Sequence, residues 1–155
     1  MKKLISLLSL LFFAAIILVS CRKDDDESQQ PTIVGTWQPT SFKATGVVNG
    51  LNVSQTVTAN ACQLNSRLVF NNNGTGVTKN WNEQNGNCVQ EPEENFTYSY
   101  NPQTKALTVT TGPDTNTGTI TTLTNSQLVY AVQSTFDFNG NNVPATLEIT
   151  ANRAQ

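Results

Sequence analysis

From residue 32 onward the chain is cut into short runs by turn signals, and this punctuation constrains the fold more than any other feature. Four Asn-Gly pairs recur, at Asn49-Gly50, Asn73-Gly74, Asn85-Gly86 and Asn139-Gly140. Asn-Gly between apolar runs is the strongest short-range hairpin signal, because both residues accept the positive φ that a tight turn demands. No segment in this region keeps a 3.6-residue apolar period; a period of two recurs instead. Strands are therefore expected at Ile33 to Phe42, Arg67 to Phe70, Val77 to Trp81, Phe96 to Tyr100, Leu107 to Thr111, Thr117 to Leu123, Leu128 to Phe138 and Val143 to Ala151. Val47 to Thr58, broken at Asn49-Gly50, reads as a loose hairpin, and Asn82 to Glu94 as a polar loop.

The fold class is all-β. About eight strands joined by successive turns form an antiparallel meander, and such a meander closes into an up-and-down barrel because closure removes the exposed edges. A β-sandwich is the alternative. Alternation points Trp37, Leu68, Phe70, Val77, Trp81, Phe96, Tyr98, Tyr100, Leu107, Val109, Ile120, Leu128, Tyr130, Val132, Ala145, Leu147 and Ile149 inward.

The N-terminus is of another kind. Lys2 and Lys3 precede an apolar run from Leu4 to Val19, interrupted only by Ser6 and Ser9. This is the architecture of a signal peptide over residues 1–20, to be set aside before any fold reasoning. The run falls short of the roughly 20 residues of a transmembrane helix, although an uncleaved membrane anchor is the competing reading. Leu18-Val19-Ser20-Cys21 resembles a lipobox, which implies that Cys21 is acylated and becomes the first mature residue. Several acyl chains give a stable anchor, at about 0.8 kcal/mol per buried CH₂. Residues 21–31 are too charged and polar to bury anything and read as a disordered tether. Their Lys23-Asp24-Asp25-Asp26-Glu27 cluster is similar to the surface-export signal of Bacteroidetes lipoproteins; the plainer reading is a solvated linker. The expected location is the outer membrane, lipid-anchored and facing the cell surface, or else the periplasmic face of a membrane.

Composition excludes several functions. Without Lys2 and Lys3 the chain carries seven Lys/Arg against eleven Asp/Glu, and four of those acids sit in the tether. Nothing here offers nucleic acid a basic face. The chain has no histidine, which excludes Ser-His-Asp triads, Cys-His nucleophiles and His-ligated zinc. Glu91, Glu93 and Glu94 cluster as paired carboxylates of a glycosidase would, but they flank Pro92 in a polar segment, as solvated loop residues do. No catalytic residue, metal or cofactor is expected, and the chain reads as a non-enzyme.

Cys62 and Cys88 are the two cysteines beyond Cys21. An even pair in a small exported domain reads as a disulfide, stabilising the fold by roughly 3–4 kcal/mol in the chain-entropy model. Two free thiols or a metal site are the alternatives, and two thiols without histidine make a poor metal site.

Ile33-Val34-Gly35-Thr36-Trp37 resembles the Gly-x-Trp opening strand of lipocalins and of the lipocalin-like domains of Bacteroidetes lipoproteins. The resemblance continues through Cys62, Leu68-Val69-Phe70, Asn73-Gly74-Thr75-Gly76, Cys88, Tyr98 to Tyr100, Leu107-Thr108-Val109, Leu128-Val129-Tyr130 and Leu147-Glu148-Ile149-Thr150, and covers about residues 32–153. It implies a lipocalin-like barrel over 32–155 in which Trp37 closes one end and a late basic residue, Arg153 by position, packs on it. Arg153 stands a few positions beyond the last clear strand residue. It also implies, loosely, a small apolar ligand in the barrel, for which Trp81, Phe96, Tyr98, Tyr100 and Tyr130 are the candidate lining. The alternative is a surface interaction or scaffold protein with a filled barrel and a protein partner, carrying its contacts on the loops Val47–Ala61 and Asn82–Glu94. Fold alone does not choose between them.

Overall fold

A computed structural model describes residues 30–154. The expected signal peptide, Cys21 and all but the end of the expected tether lie outside the described residues. Eleven strands run in order: β1 (Gly35–Val48), β2 (Leu51–Thr58), β3 (Arg67–Phe70), β4 (Thr75–Lys79), β5 (Trp81–Gln84), β6 (Asn87–Gln90), β7 (Glu94–Tyr100), β8 (Ala106–Thr111), β9 (Asp114–Leu123), β10 (Gln127–Asp137) and β11 (Asn142–Arg153). One 3-10 turn, Gln63–Asn65, interrupts them.

The main sheet runs β11-β10-β9-β8-β7-β4-β3-β1-β2, and β11 returns to pair with β1. This is a closed eight-stranded antiparallel barrel with β2 as an extra strand on β1. The turns work as their residues dictate. Asn49, Asn85 and Asn139 hold φ of 50°, 52° and 55°, each succeeded by a glycine at positive φ. The unit Pro31–Gln155 carries its own cores and closes its own sheet, which is what a segment needs to fold by itself.

β1 organises the molecule. Its first residues, Gly35 to Trp37, pair with Phe70 to Leu68 of β3, and its second half, Ser41 to Val48, pairs with β2 along the same edge. Pro39 falls in the interval between these partners, where its missing N–H breaks no ladder. On the other edge the register with β11 slips between Pro39 and Ser41. Thr40 is the extra residue of this bulge, and its hydroxyl donates to Thr150 O at 3.2 Å. A bulge reverses the in-out parity of the strand beyond it. Pro39 lies opposite Ala151, yet Phe42, not Ser41, lies opposite Ile149.

Two cores result. Ile33, Trp37, Phe70, Phe96, Leu107, Ile120, Leu128 and Ala151 fill the end of the barrel where β1 begins and β11 finishes. Beyond the other end, Ala44, Phe138 and Ala145 form a second cluster with Phe42, Phe136 and Leu147 packed on it. This cluster lies on the ribbon β2-β1-β11-β10, whose strands continue past the barrel.

Three expectations need correction. Val77 pairs with Val69 on the outer face, because Gly76 and Thr78 are the residues opposite inward-facing Phe70 and Leu68. The Phe96 ring occupies the space a side chain at Gly76 would take. The segment 82–94 is not all loop: β5 and β6 form a separate hairpin across Asn85-Gly86. β11 runs on to Arg153, which pairs directly with Trp37.

Candidate functional site: the barrel interior and its mouth

The closed end is sealed by Trp37, which is 0% exposed. Its indole N–H donates to Ile33 O at 2.7 Å. The Arg153 guanidinium carbon sits 4.1 Å from the ring centroid. Arg153 also donates to the carbonyls of Asn125, Val34 and Thr32 at 2.8, 3.0 and 2.7 Å. These bonds tie the incoming N-terminal segment and the β9–β10 turn to the end of β11, so nothing enters the barrel here.

Above this plug the barrel is not filled. An inner cavity of about 280 Å³ is bounded by Phe70, Phe96, Leu107 and Leu128 below and by Val109, Tyr130, Val132 and Ile149 around its sides. Thr111 and Asn116 stand at its upper rim, at the end of β8 and the start of β9. A second cavity of about 400 Å³ shares Leu68, Thr78 and Ile149 with the first and extends under Pro39, Phe42, Val57 and Trp81. The two cavities adjoin at these three residues. An apolar lining with a few polar groups is the make-up of small-molecule sites.

The outer cavity has a built wall. The segment carrying the 3-10 turn is held to β1 by Ala59 N–H donating to Thr40 O at 2.9 Å. The Cys62–Cys88 disulfide joins that segment to β6, with Cα atoms 5.4 Å apart. Buried Ser66 accepts the Trp81 N–H at 2.9 Å, which seats the β5–β6 hairpin against it. Asn82 donates to Glu91 at 2.8 Å. Among the described residues, Arg67 is the one charged side chain lining this cavity, and it donates through Nη1 to Leu64 O and Ser66 O, both at 2.8 Å.

The five candidate lining residues separate. Trp81 lines the outer cavity, and Phe96 and Tyr130 line the inner one. Tyr98 and Tyr100 line neither. They face inward but lie deeper along β7, packed on the closed-end core. Tyr98 stands edge-on to Phe70 at 4.9 Å between centroids, and its hydroxyl donates to Asn71 O. Burial pushes the Tyr98 and Tyr130 phenols above their usual range. Sequence reasoning does not single out Leu68, Thr78 and Ile149, the shared boundary of the two cavities; their period-two placement marks a face, not a depth. No member of the acidic cluster lines either cavity, and Glu91 stands behind the outer wall as the acceptor of Asn82. Glu93 pairs with Lys79 at 2.8 Å, and that bond holds its carboxyl below the usual range.

Residues 33–130 match the family model described as a lipocalin-like domain. Similar solved structures are those of bovine odorant-binding protein. A deswapped triple mutant is 16% identical, with 77% of this chain and 72% of that chain covered and a TM-score of 0.41. The complex with a selenium-containing odorant is 16% identical, covering 78% and 69%, with a TM-score of 0.42. The complex with undecanal is 14% identical, covering 78% and 70%, with a TM-score of 0.41. No curated protein matches the chain. With the family model spanning residues 33–130 of 155, the chain belongs to the lipocalin-like domain family.

Proposed function

We propose that this protein is a carrier that holds one small apolar molecule in its barrel, anchored to the outer membrane through a lipidated Cys21. The observation that carries the reading is the unfilled interior: the inner cavity lined by Leu68, Phe96, Val109, Tyr130 and Ile149 lies above the buried Trp37 and adjoins the outer cavity at Leu68, Thr78 and Ile149. A scaffold has no need of such a space, since side chains of ordinary size can fill an eight-stranded barrel. The reading is one of binding, and the glutamates of 91–94 enter it nowhere: Glu91 accepts from Asn82 and Glu93 pairs with Lys79.

A specific observation favours a second reading, docking to a protein partner. Val47 and Leu51, beside the turn of the β1–β2 hairpin, are 52% and 72% exposed. A hairpin tip that offers apolar side chains to water is a contact surface in search of a partner.

Native mass spectrometry of the unit Pro31–Gln155, exported to the periplasm of a bacterial host, tests the first reading. A molecule bound at one per chain, lost when Val109→Trp fills the inner cavity, is the expected result. A barrel that takes up no apolar probe in any preparation would overturn it. For the anchor, Cys21→Ala should abolish lipid labelling; unchanged labelling would refute lipidation at that residue.

A further inference from the structure

The polar groups around the inner cavity are not equivalent. Thr111 and Asn116 stand at the rim, within reach of water, and Thr78 stands where the inner and outer cavities adjoin. Tyr130 is set deep in β10, directly opposite Ile120 and Ile149. Its hydroxyl is buried and has no hydrogen-bond partner among the described residues. Buried hydroxyls are ordinarily paired, and leaving one unpaired costs about 1–3 kcal/mol.

The ring lies against Gly118 of β9, where a Cβ would collide with the Ala131 carbonyl oxygen and come within 2.6 Å of Cε2 and 2.8 Å of Cζ. A glycine at that site leaves room both for the close backbone and for the phenol. Burial keeps the phenol protonated well into alkaline solution, so it is a donor awaiting an acceptor.

The charge inventory narrows what that acceptor is. Among the described residues no Asp, Glu, Lys or Arg lines the inner cavity. A carboxylate brought to Tyr130 would be buried without a counter-charge, at a cost far above one hydrogen bond. Arg67, in the outer cavity, already commits Nη1 to two backbone carbonyls.

We propose that the barrel takes an uncharged, largely apolar molecule bearing one hydrogen-bond acceptor, such as a ketone, ester or aldehyde oxygen, which enters oxygen first and accepts the Tyr130 hydroxyl proton in a hydrogen bond. This rests on the carrier reading and goes beyond it by giving the ligand a polarity, a charge and a direction. The apolar remainder of the molecule then lies along Leu68 and Ile149 toward Trp81.

The test measures displacement of the fluorescent probe N-phenyl-1-naphthylamine from the unit Pro31–Gln155 by 2-octanone, octane and octanoate. In the native chain, octanoate is expected to bind at least about tenfold more weakly than 2-octanone, since its head finds no positive charge at the inner end. Tyr130→Phe keeps the ring over Gly118 and removes the donor. It is expected to weaken 2-octanone by about tenfold and leave octane unchanged or tighter, so the ketone-to-octane ratio is the readout. A ratio that does not move overturns the proposal. So does octanoate binding most tightly and losing that advantage in Arg67→Gln, which would place the head group in the outer cavity. Failure of the probe and all three ligands to bind would refute the carrier reading itself, an outcome distinct from an unchanged ratio.

Discussion

Arg153 reaches Trp37 through the space that Gly35 leaves empty. A Cβ at Gly35 would collide with the Arg153 guanidinium, and the residue holds φ of 133°, a conformation other residues rarely adopt. The Gly-x-Trp pattern is thus one device: the glycine is the passage, the indole the surface and the arginine the bolt. Arg153→Ala removes the cation over the ring and three hydrogen bonds to backbone carbonyls. Stacking of this kind contributes roughly 0.5–2 kcal/mol and charged hydrogen bonds about 1.5–3, with some of the carbonyls recovering water. A loss of about 2–4 kcal/mol in urea unfolding is expected. Arg153→Lys should recover less than half of it, because an ammonium cannot serve three separated carbonyls. A variant as stable as the native chain would show that the bolt is ornamental.

The disulfide closes a segment of 26 residues in sequence separation. In the chain-entropy model such a loop is worth about 3.5 kcal/mol. Cys62→Ser with Cys88→Ser should lower the melting temperature by several degrees. It should also loosen the outer cavity wall more than the closed end, since the bond joins the 3-10 segment to β6 and touches neither core. Hydrogen exchange that rises at residues 59–66 and 81–90 but not around Trp37 would carry the point; a uniform rise would refute it.

Gly76 and Phe96 face each other across β4 and β7, and the ring fills the volume above the glycine. Gly76→Ala overpacks this contact and should cost about 1–3 kcal/mol. Phe96→Leu withdraws the ring's far edge, so the double variant should lose less than the sum of the two single losses. Strict additivity in chemical unfolding would mean that the ring does not claim that space.

Much of this architecture is legible in the sequence, for physical reasons that also mark where reading fails. Turns are encoded locally: Asn49-Gly50 and Asn139-Gly140 need positive φ, and few other residues supply it. Strands with one wet face, such as 96–100, declare themselves by alternation. Val77 misleads because it is the one large apolar residue of β4. The inward place belongs to Gly76, whose role depends on Phe96 twenty residues away. The bulge at Thr40 leaves no signature in composition, yet it decides which residues of β1 face the mouth. β5 and β6 are exposed along most of their length, so no apolar period announces them. The candidate lining divides for a related reason. Alternation assigns Phe96, Tyr98 and Tyr100 one face, but height along the barrel axis, which separates cavity wall from plug, comes from the stagger between strands.

Tyr130 gives the sharpest stability prediction, because its hydroxyl has no partner among the described residues. If the hydroxyl is an unpaired buried group, Tyr130→Phe stabilises the ligand-free barrel by about 1 kcal/mol or more. A structural hydrogen bond at that site would give a loss instead. The pH dependence comes from the direction of the shift. Burial raises the folded-state phenol of Tyr130, and that of Tyr98, above the usual 10.0. The folded state then holds these protons more tightly than the unfolded chain. Their contribution is constant below about pH 10, and stability falls as pH rises from there through the folded-state values. Tyrosinate absorbance of the native chain should therefore extend into a later, more alkaline phase that unfolding in urea abolishes. Tyr130→Phe should remove part of that later phase and flatten the loss of stability above about pH 10. A single phase at the ordinary tyrosine value would show that Tyr130 is in water, and would leave its hydroxyl with no reason to wait for a ligand.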